Sequence, residues 1–268
     1  MKQDTTKQST TTQNAAMTKS TAMKKNKMGK QNKTKFAKFY ERTIERWIPK
    51  YGFLSVIFCF VFNSLIYTGT QILMGKAKHF DLTTSLDNAI PFVPAWAVIY
   101  LGCFLFWAIN YILITHQKKE DWFRFATGDY LSRIVCGIFF VLLPTTNVRP
   151  EVTGSGFSEC LVQFVYFMDA PTNLFPSIHC LVSWMCFIGI RGRKYVPKWY
   201  QVFSCLFAIA VFASTLFTKQ HYIIDIIAGV IIAQICYYIG YHTNWHQWVM
   251  KQFDKVNKAV FGEGWDEE

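Results

Sequence analysis

Blocks of about 20 apolar residues, each bounded by charge, constrain this chain more than any other feature. A helix crossing the hydrocarbon core of a bilayer needs about 20 predominantly apolar residues, with a range of about 17–25. Inside that core every backbone N–H and C=O must find its partner within the protein, which favours helices. Six spans are predicted: 52–74, 93–115, 129–147, 172–190, 199–217 and 222–241. The third contains Arg133 and Pro144. The fourth becomes cleanly apolar only after His179, where "CLVSWMCFIGI" runs up to the basic cluster "RGRK". Residues 156–168, "GFSECLVQFVYFM", read as a further short helix on the membrane surface. The expected fold class is therefore all-α, a polytopic bundle of six transmembrane helices. With 51% of 268 residues hydrophobic and no internal repeat, one membrane domain fits better than two soluble ones.

The flanks are different. Residues 1–38 hold ten lysines against one acid, Asp4, and too few apolar residues to offset chain entropy, which predicts a disordered basic tail. They lack the apolar core and small-residue cleavage site of a signal peptide directly behind their charges. Residues 39–50, "FYERTIERWIPK", read as an interfacial helix with Tyr40 and Trp47 at headgroup depth. Residues 51–241 form the membrane domain, and 242–268 a C-terminal tail. Basic residues gather on the cytoplasmic side of membrane proteins. With the N-terminus inside, 24 of the 28 Lys and Arg fall inside; only Lys76, Lys78, Arg149 and Lys219 fall outside. Both termini are thus expected in the cytoplasm of a multi-pass cell-membrane protein. The net charge of +11 sits largely at the ends and in short loops, which suits anionic lipid headgroups rather than nucleic acid. The eight cysteines form no CxxC pair and mostly lie within apolar runs, so neither a disulfide framework nor a zinc site is expected.

This topology brings three polar clusters to the outer face. They are "NVRP" with Arg149, "PSIH" with Ser177 and His179, and "STLFTKQHYIID" with Lys219, His221 and Asp225. Ionisable groups near bilayer depth are costly and usually functional. His221 and Asp225 are four apart, so on a helix they share a face about one turn apart. A carboxylate there can accept the Nδ1–H of His221 and leave Nε2 as nucleophile or base. His179, from another helix start, is the complementary acid. Arg149 offers a planar fork for phosphate oxygens. Ser177 and the N–H groups opening the fourth helix add an anion site. Together these groups suggest phosphoryl transfer. Each also has a plain structural role when taken singly: helix cap for Ser177, headgroup anchor for Arg149, snorkelling side chain for Lys219. His79, His116, His242 and His246 read as solvated interfacial residues. Two cations beside the histidines make a poor setting for a divalent metal, so no metal or other cofactor is expected.

At these residues the chain resembles the type 2 phosphatidic acid phosphatase superfamily of membrane lipid phosphatases and phosphotransferases. The family pattern is KxxxxxxRP, then PSGH, then SRxxxxxHxxxD. "PSIH" departs only at Ile178; "STLFTKQHYIID" keeps Ser214, His221 and Asp225 but has Thr215 for the arginine. Arg149–Pro150 ends the first element, with Leu142 at its lysine position. In lacking these cations the chain is similar to the branch containing inositolphosphorylceramide and sphingomyelin synthases, and Lys219 is expected to replace one of them. The resemblance implies catalysis by His179, His221 and Asp225. His221 attacks phosphorus to form a phosphohistidine, His179 protonates the leaving oxygen, and Asp225 orients His221. Arg149, Ser177, Lys219 and Ser214 would bind the substrate, a lipid phosphate. A lipid phosphatase acting on a monophosphate or pyrophosphate at the outer leaflet is the leading expectation. A headgroup phosphotransferase is the alternative, and a non-enzymatic phospholipid binder or transporter is the rival from a different class.

Overall fold

A computed structural model describes residues 34–263, 265 and 266. The expected disordered tail lies outside the described residues as far as residue 33. Its last residues are helical: α1 spans Lys35–Thr43, so the expected boundary at residue 39 moves back to Thr34. The Thr34 hydroxyl caps this helix, accepting the Ala37 N–H at 3.0 Å.

The chain divides into two compact units. One comprises, among the described residues, those up to Tyr51 together with those from Lys251 onward. In it, α1 meets the end of the C-terminal helix. The Thr34 N–H donates to the Phe261 carbonyl at 3.3 Å, its hydroxyl to the Val260 carbonyl at 2.7 Å, and Tyr40 packs edge-on against Phe261. Lys50 is buried against Glu41 and Glu45 at 2.8 and 3.4 Å.

The second unit, Gly52–Met250, holds the membrane helices. In chain order the helices are α2 (Lys50–Met74), the short α3 (Ser85–Ala89), α4 (Ala97–Thr115), α5 (Lys119–Leu142), α6 (Phe157–Met168), α7 (Ile178–Ile190), α8 (Lys198–Phe217), α9 (Ile223–His242) and α10 (Trp245–Phe261). Among the described residues five helices are long and apolar enough to cross a membrane: α2, α4 with the 3₁₀ turn before it, α5, α8 and α9. The expected fourth span is a helix of only 13 residues, α7. Pro176 and the irregular loop before it keep residues 172–177 out of the helix. The expected third span also moves: α5 starts at Lys119 rather than 129. Glu120 and Asp121 in its first turn suit a helix N-terminus. It stops at Leu142, ahead of Pro144. Arg133 therefore does not mark the edge of the span. It lies buried within α5, paired with Asp129 at 2.7 Å, and the Tyr111 hydroxyl donates to the same carboxylate at 2.6 Å.

Helix α9 organises the unit through glycines. A Cβ on Gly240 would stand 2.4 Å from the Arg124 carbonyl oxygen, and one on Gly128 2.7 Å from that of Cys236, so α5 and α9 touch backbone to backbone. At the other end of α9, a Cβ on Gly229 would stand 2.7 Å from the Ser177 carbonyl oxygen. That contact sets the start of α7 against the start of α9. The connecting loops at this end are woven together. Strand β1 (Phe80–Asp81) pairs in parallel with β2 (Thr145–Thr146), and Thr146 bridges to Thr172.

Candidate active site

His221 is not on a helix; it sits just before Tyr222, the N-cap of α9. Asp225 occupies the third position of that helix and folds back over the cap. Its Oδ2 accepts the Tyr222 N–H at 2.9 Å and lies 3.3 Å from Nδ1 of His221. The expected pairing forms by this helix-start geometry rather than across one helical turn. The approach of His221 to the cap depends on Lys219, which adopts a left-handed backbone (φ +55°) just past the end of α8. The reversed chain lets the N–H groups of Gln220 and His221 both donate to the Thr215 carbonyl, at 2.9 and 3.2 Å.

His221 and Arg149 line one polar cleft of ≈ 730 Å³, together with Lys219, Asn147, Asp87 and Asp81. The Arg149 guanidinium donates to the Asp169 carbonyl and, at 2.6 Å, to Gln220 Oε1; it also stacks on Tyr166, 4.8 Å from the ring centre. Its buried Nε has no hydrogen-bond partner. Lys219 is on the cleft wall, but its Nζ is engaged by the carbonyls of Asp87 and Ile90. It ties down the loop that carries α3, and Asp87 completes the tie by accepting the Ile223 N–H at 2.9 Å. Burial pushes the Asp87 carboxyl up. Donors from the Thr84 hydroxyl, the Ile223 and Thr84 N–H groups and the charge of Lys219 outweigh burial and hold it below the usual range.

Two expected substrate-binding residues lie elsewhere. Ser177 is fully buried, and its hydroxyl caps α7 by accepting the Cys180 N–H at 3.3 Å. Its own N–H donates to the Asp225 carbonyl at 3.1 Å, which docks the two helix starts. Ser214 is buried too and donates back to the Val211 carbonyl within α8. Of the two positions that lack the family's cations, Thr215 is buried and Leu142 points outward, 75% exposed.

His179 lies beside His221, the ring centres 5.7 Å apart. It faces a second cavity of ≈ 160 Å³. Its ring packs on Tyr100 at 4.5 Å and Trp107 at 5.5 Å. Its Nδ1 is 3.5 Å from the Tyr100 hydroxyl, which donates to Asp169 Oδ2 at 2.9 Å; the Tyr67 hydroxyl donates to Oδ1. Sequence reasoning missed Asp169, Tyr67 and Tyr100. The available signal was an acid in "FMDAPTN", just ahead of "PSIH".

The arrangement holds two histidines side by side, each backed by a carboxylate, with a guanidinium on the wall of the cleft. A family model described as the PAP2 superfamily matches residues 34–239. The chain belongs to that superfamily. The match covers all three polar clusters and extends from α1 into α9. Comparison with curated proteins gives no match. As a PAP2 superfamily member with several membrane-length apolar helices, the protein is placed among the membrane lipid phosphatases and phosphotransferases.

Proposed function

We propose that this PAP2 protein hydrolyses a lipid phosphate or pyrophosphate through a phosphohistidine on His221. The observation that carries the reading is the 3.3 Å contact between Asp225 Oδ2 and His221 Nδ1 on the wall of the cleft that also holds Arg149. With Nδ1–H turned to the carboxylate, Nε2 keeps its lone pair for phosphorus. Arg149, positioned by Gln220 and the Asp169 carbonyl, supplies positive charge to the phosphoryl oxygens as charge develops in the transition state. His179 protonates the leaving oxygen as its bond to phosphorus breaks. Water then attacks, gives its proton to His179, and releases phosphate and His221. Lys219 and Ser177 act at one remove: the first secures the outer loop, the second fixes the start of α7.

We further place the active site on the extracytoplasmic side, with six crossings and both termini inside. The hydrogen bonds of Thr34 to Phe261 and Val260 support termini on one side of the membrane, and so an even number of crossings. To the five long helices this reading adds α7, the longer of the two shorter apolar helices α6 and α7, as the sixth crossing. At about 1.5 Å per residue it spans about 20 Å, less than the hydrocarbon core. The loop before it sits within the protein, where irregular backbone is tolerated at depth; its Leu174 and Phe175 N–H groups donate to the Thr145 hydroxyl at 3.0 and 2.9 Å.

The function is tested by phosphate release from lipid monophosphates and pyrophosphates by the purified protein in detergent micelles. Release that disappears in His221→Ala supports the reading. No release from any of them, or equal release by the variant, contradicts it. For sidedness, single cysteines at Thr153 and Gly192 are placed in a cysteine-free background. The first should react with an impermeant thiol reagent in intact cells and the second only after permeabilisation; the reverse pattern would place the site in the cytoplasm.

A further inference from the structure

We infer that Tyr166 is a positioning residue for phosphoryl transfer: from the short helix α6 its ring holds the Arg149 guanidinium in the orientation in which it meets the phosphoryl oxygens. The inference rests on the reading of Arg149 above and says what keeps that cation in place.

Helix α6 grips the segment that carries Arg149 at three successive points. Gln163, Tyr166 and Asp169 are three residues apart, so each is a surface neighbour of the next. Gln163 Nε2 donates to the Val152 and Gly154 carbonyls at 2.8 and 3.2 Å, just past Arg149. The Tyr166 ring lies under the guanidinium, whose carbon is 4.8 Å from the ring centre. A cation within about 6 Å of a ring face is drawn to it. Asp169 is the C-cap of α6, and its carbonyl accepts from Nη1 of Arg149. The C-terminal end of a helix favours positive charge. From the opposite strand of the site, Gln220 Oε1 takes Nη2 at 2.6 Å. Each terminal nitrogen keeps a second N–H, and the buried Nε–H has no partner, so donors remain for a phosphoryl oxygen.

The ring is itself anchored. The Tyr166 hydroxyl donates to the Thr218 carbonyl at 2.9 Å. Thr218 is the C-cap of α8 and precedes Lys219, whose left-handed backbone leads the chain into His221. One side chain therefore touches both the cation and the turn that presents the nucleophile. The orientation of Arg149 counts heavily because it has little help. Lys219 is the other Lys or Arg on the cleft wall, and its Nζ is engaged by the Asp87 and Ile90 carbonyls. Leu142 and Thr215 bring no charge. A misaimed donor loses much of its effect on charge that develops in a transition state.

The test uses full-length protein in mixed micelles with ³²P-labelled phosphatidic acid. Tyr166→Phe keeps the ring and removes the Thr218 hydrogen bond; Tyr166→Leu removes both. The step from Phe to Leu at position 166 thus reports the ring. Phosphate release per folded molecule should fall about tenfold across that step when Arg149 is present. In an Arg149→Ala background the same step should cost less than twofold, because the ring has lost what it positions. The step is also read as the affinity for orthovanadate by calorimetry, which needs no turnover, and the same pattern is expected. An equal fall in both backgrounds would make Tyr166 a packing residue and overturn the inference, as would no fall with Arg149 present. Full release by Arg149→Ala would overturn it as well, while leaving the phosphohistidine on His221 standing. No release by the native protein, with the orthovanadate pattern as expected, would overturn the hydrolase reading and keep Tyr166 as the mount of Arg149. Neither release nor orthovanadate binding would overturn both.

Discussion

The two histidines sit 5.7 Å apart yet are held in opposite ways. His221 touches its carboxylate directly, through a helix cap four residues away, and faces a polar cleft. His179 reaches its carboxylate through the Tyr100 hydroxyl and is walled by aromatic rings from a different helix. A direct Asp–His contact fixes a tautomer and stabilises the positive charge that grows on a nucleophile. A relayed contact within an apolar wall fixes the ring but exerts a weaker pull, which suits a group that must give up its proton and take it back. The difference suits the roles proposed above, attack for His221 and proton shuttling for His179.

Substitutions can break this comparison at several points. The largest effect is expected from Asp225→Asn, which preserves shape but can turn an N–H toward His221. Turnover should fall about 10³–10⁴-fold in single-turnover assays. A loss under tenfold would remove Asp225 from the mechanism. Next comes Gly229→Ala, whose Cβ would meet the Ser177 carbonyl oxygen at 2.7 Å and push the two helix starts apart. Activity per folded molecule should drop about 10²-fold, the usual consequence of misplacing reacting groups by an ångström. Tyr100→Phe removes one relayed hydrogen bond. About a tenfold loss on an alkyl phosphate is expected, with a smaller loss on an aryl phosphate whose leaving group needs less protonation. Equal losses on both would make His179 a binding group. The smallest effect concerns the loop that carries α3. The Asp87 carboxyl is held below its usual range in the folded protein. Its stabilising contribution is thus complete above the unfolded value of about 4 and is lost as pH falls through the lower folded value. Asp87→Asn should flatten the acid side of a melting-temperature profile and leave neutral pH little changed in slope.

What the sequence disclosed follows the same division. The His221–Asp225 pair was legible because its partners are four residues apart. The long spans were legible because twenty apolar residues have few other uses. Ser177 was expected to bind substrate, and taken alone to cap a helix; its hydroxyl caps α7. Lys219 carried the charge of a phosphate ligand, but beside its left-handed backbone its Nζ is held by the carbonyls of Asp87 and Ile90. The short α7 was hidden because Leu174 and Phe175 carry apolar content back into the loop that Pro176 keeps out of the helix. The surroundings of His179 were not legible, since Tyr67, Tyr100 and Asp169 come from α2, α4 and the residue after α6.

A covalent phosphoryl group on His221 is the centre of the proposed mechanism. Rapid quenching of the protein with ³²P-labelled lipid phosphate, followed by digestion and peptide analysis, tests it directly. The expected result is one base-stable, acid-labile phosphopeptide containing His221, lost in His221→Ala and accumulating in His179→Ala when an aryl phosphate is the donor. Label on His179 instead, or full turnover with no labelled histidine at any time point, would contradict it.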